Sequence, residues 1–226
     1  MNRPRLQILF EDNHLLAVVK PAGLATMGVP GDRPSLLAQA KEYIKRRYRK
    51  PGNVYLGIVS RLDAPVTGVV LLARTSKAAR RLTEQFRSQE VEKTYWALVE
   101  RAIHPAEGTC RDWLAEDPRH RRMHVVASGE PQAKEAVLHY RRLAYIANNS
   151  LVEVCLETGR KHQIRVQLAQ RGFPILGDRK YGAGQPWAEG IALHARCLRL
   201  CHPVGGEPLE LVAPLPGIWR KAGVQA

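Results

Sequence analysis

Apolar and polar positions along the chain alternate with two periods, and the switches between them mark its elements. The opening stretch LQILFEDNHLLAVVKPAGL predicts two short strands around an acidic turn, Glu11-Asp12-Asn13, closing on Lys20-Pro21-Ala22-Gly23. Ser35 is placed to cap a helix from Leu36 to about Arg49. That helix carries Leu36, Leu37, Ala40 and Ile44 on one side and ends before Pro51-Gly52. The run VVLLA after Gly68 is a strand, and Thr75 or Ser76 starts a second helix with Ala79, Leu82 and Phe86 on one face. From Lys93 the period becomes two, with Tyr95, Ala97 and Val99 sharing one side and Thr94, Trp96 and Leu98 the other. SLVEVCLE, at 150–157, and IALHARCLRL, at 191–200, alternate in the same way. A helix through HQIRVQLAQR stops at Gly172, with Pro174 close behind. The segment 104–135, rich in Pro, Gly, Arg and His, is expected to be an irregular surface excursion.

Strands outnumber helices and come in runs rather than in strict βαβ alternation. This predicts an α+β fold with a mixed, mostly antiparallel central sheet flanked by helices and loops. A length of 226 residues allows one or two domains. Without a repeat, low-complexity tract or long polar linker, a single domain over 1–226 is the economical expectation.

Charge changes the picture. Lys and Arg number 35 against 21 Asp and Glu, a formal charge of +14, and 25 of the 35 cations are Arg. Arg presents a planar fork of donors suited to phosphate and stacks on bases, so a nucleic-acid partner is favoured. A GC-rich coding sequence would explain the ratio of Arg to Lys but not the excess charge. No apolar run reaches the ~18 residues of a spanning helix. Glu11 and Asp12 interrupt the N-terminal stretch before a secretory h-region could form, so the expected compartment is the cytoplasm. Of the cysteines Cys110, Cys155, Cys197 and Cys201, the run Cys197-x3-Cys201-His202 invites a zinc reading. It lacks a second ligand pair at zinc spacing, and Cys197 falls in step with Leu193 and Ala195 on a core face, so no structural metal is expected.

Two segments gather polar residues beside turn signals. Ser60-Arg61-Leu62-Asp63-Ala64-Pro65-Val66-Thr67-Gly68 is an ordinary Asp-Pro-Gly turn on local grounds alone. Thr158-Gly159-Arg160-Lys161-His162-Gln163-Ile164-Arg165 opens a helix, where Arg160 and Lys161 suit a phosphate and His162 and Gln163 suit a base or sugar. A solvated helix start explains that segment equally well. Two basic clusters, Lys45-Arg46-Arg47-Tyr48-Arg49-Lys50 and Arg119-His120-Arg121-Arg122, serve equally as phosphate contacts or as solvated faces.

Taken together these segments are more specific than any one of them. The sequence resembles the RluA family of RNA pseudouridine synthases over nearly its whole length. Lys20 to Gly23 match the family's Lys-Pro-Ala-Gly, and SRLDAPVTG looks like its His-Arg-Leu-Asp-x-x-Thr-Ser-Gly signature. Lys93-Thr94-Tyr95 match a Lys-x-Tyr strand, and Thr158 to Arg165 a Thr-Gly-Arg-x-His-Gln-Ile-Arg block. Gly177 to Gly182 match Gly-Asp-x-x-Tyr-Gly, and Leu193 to Ala195 a closing Leu-His-Ala.

The resemblance implies the pseudouridine synthase catalytic fold and a reaction that breaks the bond from ribose C1′ to uracil N1 and rejoins the base through C5. It implies neither metal nor redox cofactor. Asp63 is the counterpart of the family's catalytic carboxylate, and Arg165 of the basic residue paired with it. Tyr95 matches the active-site Tyr that stacks on the base and is the favoured route for removing the C5 proton. Arg61 matches the Arg that holds the target nucleotide out of its stack. Arg160, Lys161 and His162 are the further candidate RNA contacts, and the 119–122 cluster lies where the family carries a mobile RNA-clasping element. Structured rRNA or tRNA is the implied partner, with a monomer as the default state and no obligate protein partner.

Two departures stand out: Ser60 replaces the usual His, and Val66-Thr67 the usual Thr-Ser. The Lys-Pro-Ala-Gly segment begins at residue 20, so the likeness is to the short members that lack an S4 RNA-binding domain. Two rivals remain: a non-catalytic RNA-binding protein on the same fold, and a nucleoside N-glycosylase that would release free uracil.

Overall fold

The structure, a computed structural model, describes residues 6–28 and 34–225. The first five residues, which belong to the stretch searched for a leader, lie outside that range. In chain order the elements are β1 (Gln7–Glu11), β2 (Leu15–Lys20), α1 (Leu36–Arg47), β3 (Gly57–Ile58), β4 (Thr67–Ala73) and α2 (Ser76–Arg87). There follow β5 (Glu92–Glu100), β6 (Glu107–Asp117), β7 (Arg122–Val126), β8 (Lys134–Ile146) and β9 (Asn149–Leu156). The chain closes with α3 (Gln163–Gln170), a single 3-10 turn (Arg179–Tyr181), β10 (Leu193–Cys201), β11 (Pro208–Val212) and the short α4 (Gly217–Lys221). The class is α+β, as the order of runs predicts. The residues group into two compact units, Met1–Val91 with Arg196–Pro214 and Glu92–Ala195 with Leu215–Ala226.

In the first unit β2 lies between β1 and β4, antiparallel to both, with Leu15 opposite Ala73 and Lys20 opposite Gly68. This register brings the end of β2 and the start of β4 to one edge, so the Lys-Pro-Ala-Gly turn and the loop around Asp63 emerge side by side. Leu16 and Val18 of β2 and Val70 and Leu72 of β4 bury against Leu36, Ala40 and Ile44 of α1. Leu62 packs on the same cluster. α1 begins where Ser35 Oγ accepts the Ala38 N–H, and α2 where Thr75 Oγ1 accepts the Ala78 N–H. Caps of this kind contribute roughly 1 kcal/mol each.

In the second unit β5, β9, β8, β6 and β7 pair in that order, all antiparallel. Val166 of α3 packs on Leu114, Met123 and Ala136, with Tyr181 against the same cluster. Residues 104–135 differ from the irregular excursion expected of them. They hold β6 and β7, a hairpin paired from Trp113–Val126 to Asp117–Arg122. The physical reason is burial: only Cys110 and Leu114 on β6 and Met123 on β7 are buried, too few to print an alternation on the sequence. The Arg119-His120-Arg121-Arg122 cluster is therefore the tip of a hairpin. α3 lies within the predicted HQIRVQLAQR, beginning just after His162, which sits in the left-handed region (φ 55°).

Candidate active site

The loop bearing Asp63 is held from below by the turn that follows β2. Lys20 is fully buried (0% exposed), and its ammonium has three hydrogens to place. All three find backbone carbonyls: Pro21 at 2.9 Å, Leu24 at 2.7 Å and Ala64 at 3.0 Å. Burial pulls the Lys20 pKa down from the ordinary 10.5 to about 8, while the Asp63 carboxylate works in the opposite direction. Gly23, with φ of +78°, takes a conformation that favours glycine, and its N–H donates to the Ala64 carbonyl at 2.8 Å.

On the other side of Asp63, Thr26 Oγ1 donates to the Leu62 carbonyl (2.9 Å) and accepts the Leu62 N–H (3.1 Å). A turn follows Asp63, closed by the Val66 N–H donating to the Asp63 backbone carbonyl at 3.1 Å. Asp63 is thus half-buried between two residues whose backbones are fixed, with Arg61 exposed two positions before it. The Lys-Pro-Ala-Gly motif is the seat of this carboxylate, a role that sequence reading did not assign to Lys20.

The second group of candidate residues belongs to the second unit. Tyr95 lies half-buried on β5 opposite Val154 of β9. Lys93 is two positions earlier on the same face, and burial lowers its pKa. Arg165, on the first turn of α3, is 5% exposed. The sequence reading pairs it with Asp63; within its own unit it is held by Asp178, itself 2% exposed. The pair is bidentate, Nε to Oδ2 at 2.6 Å and Nη2 to Oδ1 at 2.8 Å, the geometry that fixes a guanidinium plane.

The Tyr181 ring lies 5.1 Å from the Arg165 guanidinium carbon. Its Oη accepts the Met123 N–H of β7 at 3.0 Å and is 2.8 Å from His162 Nδ1. Asp178 and Tyr181 are the Asp and Tyr of the Gly-Asp-x-x-Tyr-Gly stretch. That motif was visible in the sequence, but its task of orienting Arg165 was not.

The remaining candidates are placed as follows. Gln163 does not reach outward: its Oε1 accepts from Thr158 Oγ1 and the Arg160 N–H, and its Nε2 donates to the Val137 carbonyl. Its amide is spent on shaping the loop, which corrects the base- or sugar-binding reading of that residue. Arg160 Nε donates to the Glu135 carbonyl at 2.8 Å, and Lys161 pairs with Glu116, both at exposed side chains. An exposed pair of that kind is worth little and opens readily for a phosphate. Among the described residues no group of three or more His, Cys, Asp or Glu side chains is placed to hold a metal ion. Cys197 is buried, as its phase predicts, with burial pushing its thiol up to about 11.

Comparison with known proteins fits this arrangement. Residues 14–170 match the family model described as RNA pseudouridylate synthase, and the chain belongs to that family of isomerases acting on uridines in RNA. More particularly, it is 36% identical over 220 residues to an uncharacterised RNA pseudouridine synthase of Synechocystis sp., covering 96% of this chain and 67% of that protein. It is 37% identical over 229 residues to the ribosomal large subunit pseudouridine synthase D of Xylella fastidiosa, covering 93% of this chain and 66% of that one. The chain thus spans about two thirds of the length of these relatives. Among solved structures, human RNA pseudouridylate synthase domain containing 4 superimposes with a TM-score of 0.81 at 29% identity, covering 96% of this chain and 91% of that one.

Proposed function

We propose that the protein converts specific uridines of structured ribosomal or transfer RNA to pseudouridine, with residues 1–226 acting as one catalytic domain, a monomer in the cytoplasm. The observation that carries this reading is the seating of Asp63. A carboxylate on a loop fixed at Leu62 and Ala64, beside a buried lysine, is held ready for a reaction at a single atom.

In the proposed reaction the target nucleotide leaves its stack, and Arg61 fills part of the space it vacates. Asp63 acts on the ribose, either as a nucleophile whose bond to C1′ is broken again when C5 attaches, or as the base that takes the C2′ proton to form a glycal and later returns it. The N1–C1′ bond breaks, the uracil turns, and a C5–C1′ bond forms. The proton on C5 is then removed, with Tyr95 against the base, and a proton is gained at N1, so the change is an isomerisation that needs no cofactor. Arg165, its plane fixed by Asp178 and Tyr181, is the basic residue proposed to act with Asp63 in the reaction. Arg160, Lys161 and His162 contact the RNA at the start of α3.

The test is direct. Purified protein incubated with bulk ribosomal and transfer RNA, without added cofactor, should form pseudouridine. Tight RNA binding with no pseudouridine would instead make it a binding protein, and release of free uracil would make it an N-glycosylase.

A further inference from the structure

The basic run at the end of α1 takes no part in the site described above. Lys45, Arg46, Arg47, Arg49 and Lys50 place five cations within six residues, and all five are exposed. Three of them sit in the last turn of the helix, where cations suit the negative end of its dipole. That argument does not reach Arg49 and Lys50, which lie beyond the helix. The turn there is a Schellman motif, with Lys50 N–H to the Lys45 carbonyl at 3.0 Å and Arg49 N–H to the Arg46 carbonyl at 3.3 Å. Its left-handed position, φ +47°, is held by Arg49, where glycine would carry no steric penalty.

Two carboxylates also meet the patch: Glu42 pairs with Arg46 at 2.5 Å, and Glu11 lies beneath. Glu11, its side chain 9% exposed, accepts the hydroxyls of Tyr43 and Tyr48 at 2.7 Å each and pairs with Arg47 and Arg74 at 3.4 Å each. The Arg74 guanidinium lies 4.6 Å from the centre of the Tyr48 ring, and Arg47 5.9 Å from the rings of Tyr43 and Tyr48. Tyr48 keeps 44% of its surface exposed, and Tyr55, close behind in the chain, 51%.

α1 also ties this patch to the loop of Asp63. At its other end the Leu37 N–H donates to the Thr26 carbonyl at 3.1 Å, and Thr26 is the residue that clamps Leu62. Twelve residues at about 1.5 Å each put the patch ~18 Å along the helix from that clamp.

We propose that the surface formed by Lys45, Tyr48, Arg49 and Lys50 is a second contact for the substrate RNA, gripping phosphates outside the reacting nucleotide. The proposal rests on the RNA-modifying reading above and extends it to how a long RNA is held. Such contacts fix position without reading bases, so their signature is salt dependence rather than sequence preference.

The test is a variant of the 226-residue chain carrying Lys45→Ala, Arg49→Gly and Lys50→Ala, compared with wild type for binding of ribosomal RNA across a salt series and for steady-state kinetics. The variant should melt at or above the wild-type temperature, because Arg49→Gly relieves the left-handed strain. Its affinity should fall about tenfold at physiological salt, and the slope of log affinity against log salt should flatten by ~2 or more, with KM raised and kcat kept. Unchanged affinity and slope would overturn the proposal, as would loss of kcat at unchanged affinity. Vesicles of phosphatidylserine and phosphatidylcholine provide the competing partner: loss of vesicle binding with RNA binding intact would overturn it too. Binding needs no turnover, so the two readings fail separately. Weakened RNA binding by the variant, with no pseudouridine made by wild type, would sink the enzymatic reading and leave the surface standing.

Discussion

The loop of Asp63 and the setting of Arg165 are both rigid, but they are built from different materials. Asp63 is fixed through the backbone: Lys20 binds three carbonyls, Thr26 grips the amide and carbonyl of Leu62, and Gly23 binds Ala64. Arg165 is fixed through side chains, by the carboxylate of Asp178 and the ring of Tyr181, which is itself tied to His162. A backbone-held loop accepts changes in the side chains it displays. A network of side chains does not, because each member needs a partner of one shape and charge. This accounts for the departure of the first loop from the family signature at the half-exposed Ser60, though not for those at the buried Val66 and Thr67, while the Thr158–Arg165 and Gly177–Gly182 stretches match it almost letter for letter.

The largest expected effect lies in the side-chain network. Asp178→Ala strands a buried guanidinium, and urea unfolding should show a loss of about 3–5 kcal/mol. Asp178→Asn keeps the shape but not the charge, and its single-turnover rate should drop by about 10²-fold even where it folds. A near-wild-type rate in the Asn variant would show that Arg165 needs no partner in its own unit.

Lys20→Met comes next, since it leaves three carbonyls short of a donor at the Asp63 loop. A loss of about 2 kcal/mol is expected, with a fall in kcat larger than any change in RNA affinity. The wild-type rate should also decline above about pH 8 as Lys20 loses its proton, and this decline should be missing in the variant. The sign for stability is opposite. The folded pKa lies below the ordinary 10.5, so between about pH 8 and 10.5 the unfolded chain binds more protons and this group's contribution to stability rises with pH. In the difference between wild type and Lys20→Met, activity and stability should therefore diverge across that window, and a parallel fall of both differences would contradict the assignment.

Tyr181→Phe keeps the ring against Arg165 but deprives Met123 N–H and His162 of the hydroxyl. It should cost about 1–2 kcal/mol and slow the chemical step roughly tenfold, with RNA affinity within a factor of two. The smallest effects belong to the displayed positions of the first loop. Ser60→Ala and Ser60→His should each leave the rate within about threefold and stability within ~0.5 kcal/mol. A hundredfold response to either would erase the distinction between the two regions.

How much of this was legible in the sequence follows the same division. The strands β1, β2, β4, β5, β9 and β10, the caps Ser35 and Thr75, and the turn Glu11-Asp12-Asn13 print local signals and appear where their patterns place them, whereas β3, β8 and β11 are not predicted. The β6–β7 hairpin prints none, because it buries too few side chains for its alternation to survive. Asp63, Tyr95 and Arg165 stand out through motif resemblance, and their tasks remain proposals. Lys20, Asp178 and Tyr181 lay inside quoted motifs, yet their tasks depend on burial and on partners distant in the chain. A lysine at a strand end reads as solvated until three carbonyls converge on it. Glu11 likewise reads as a turn residue, while the fold makes it the anchor of a basic surface.

The account turns on a carboxylate at one position, and the most direct test follows the hydrogen it causes to leave. Ribosomal RNA labelled with tritium at uracil C5, treated with wild-type protein and with Asp63→Asn, reports each isomerisation as tritium released to water. The account requires release by wild type, with the label's loss matched by pseudouridine in the digested RNA, and none above background by Asp63→Asn at equal RNA binding. Release by the Asn variant at a rate near wild type would contradict it.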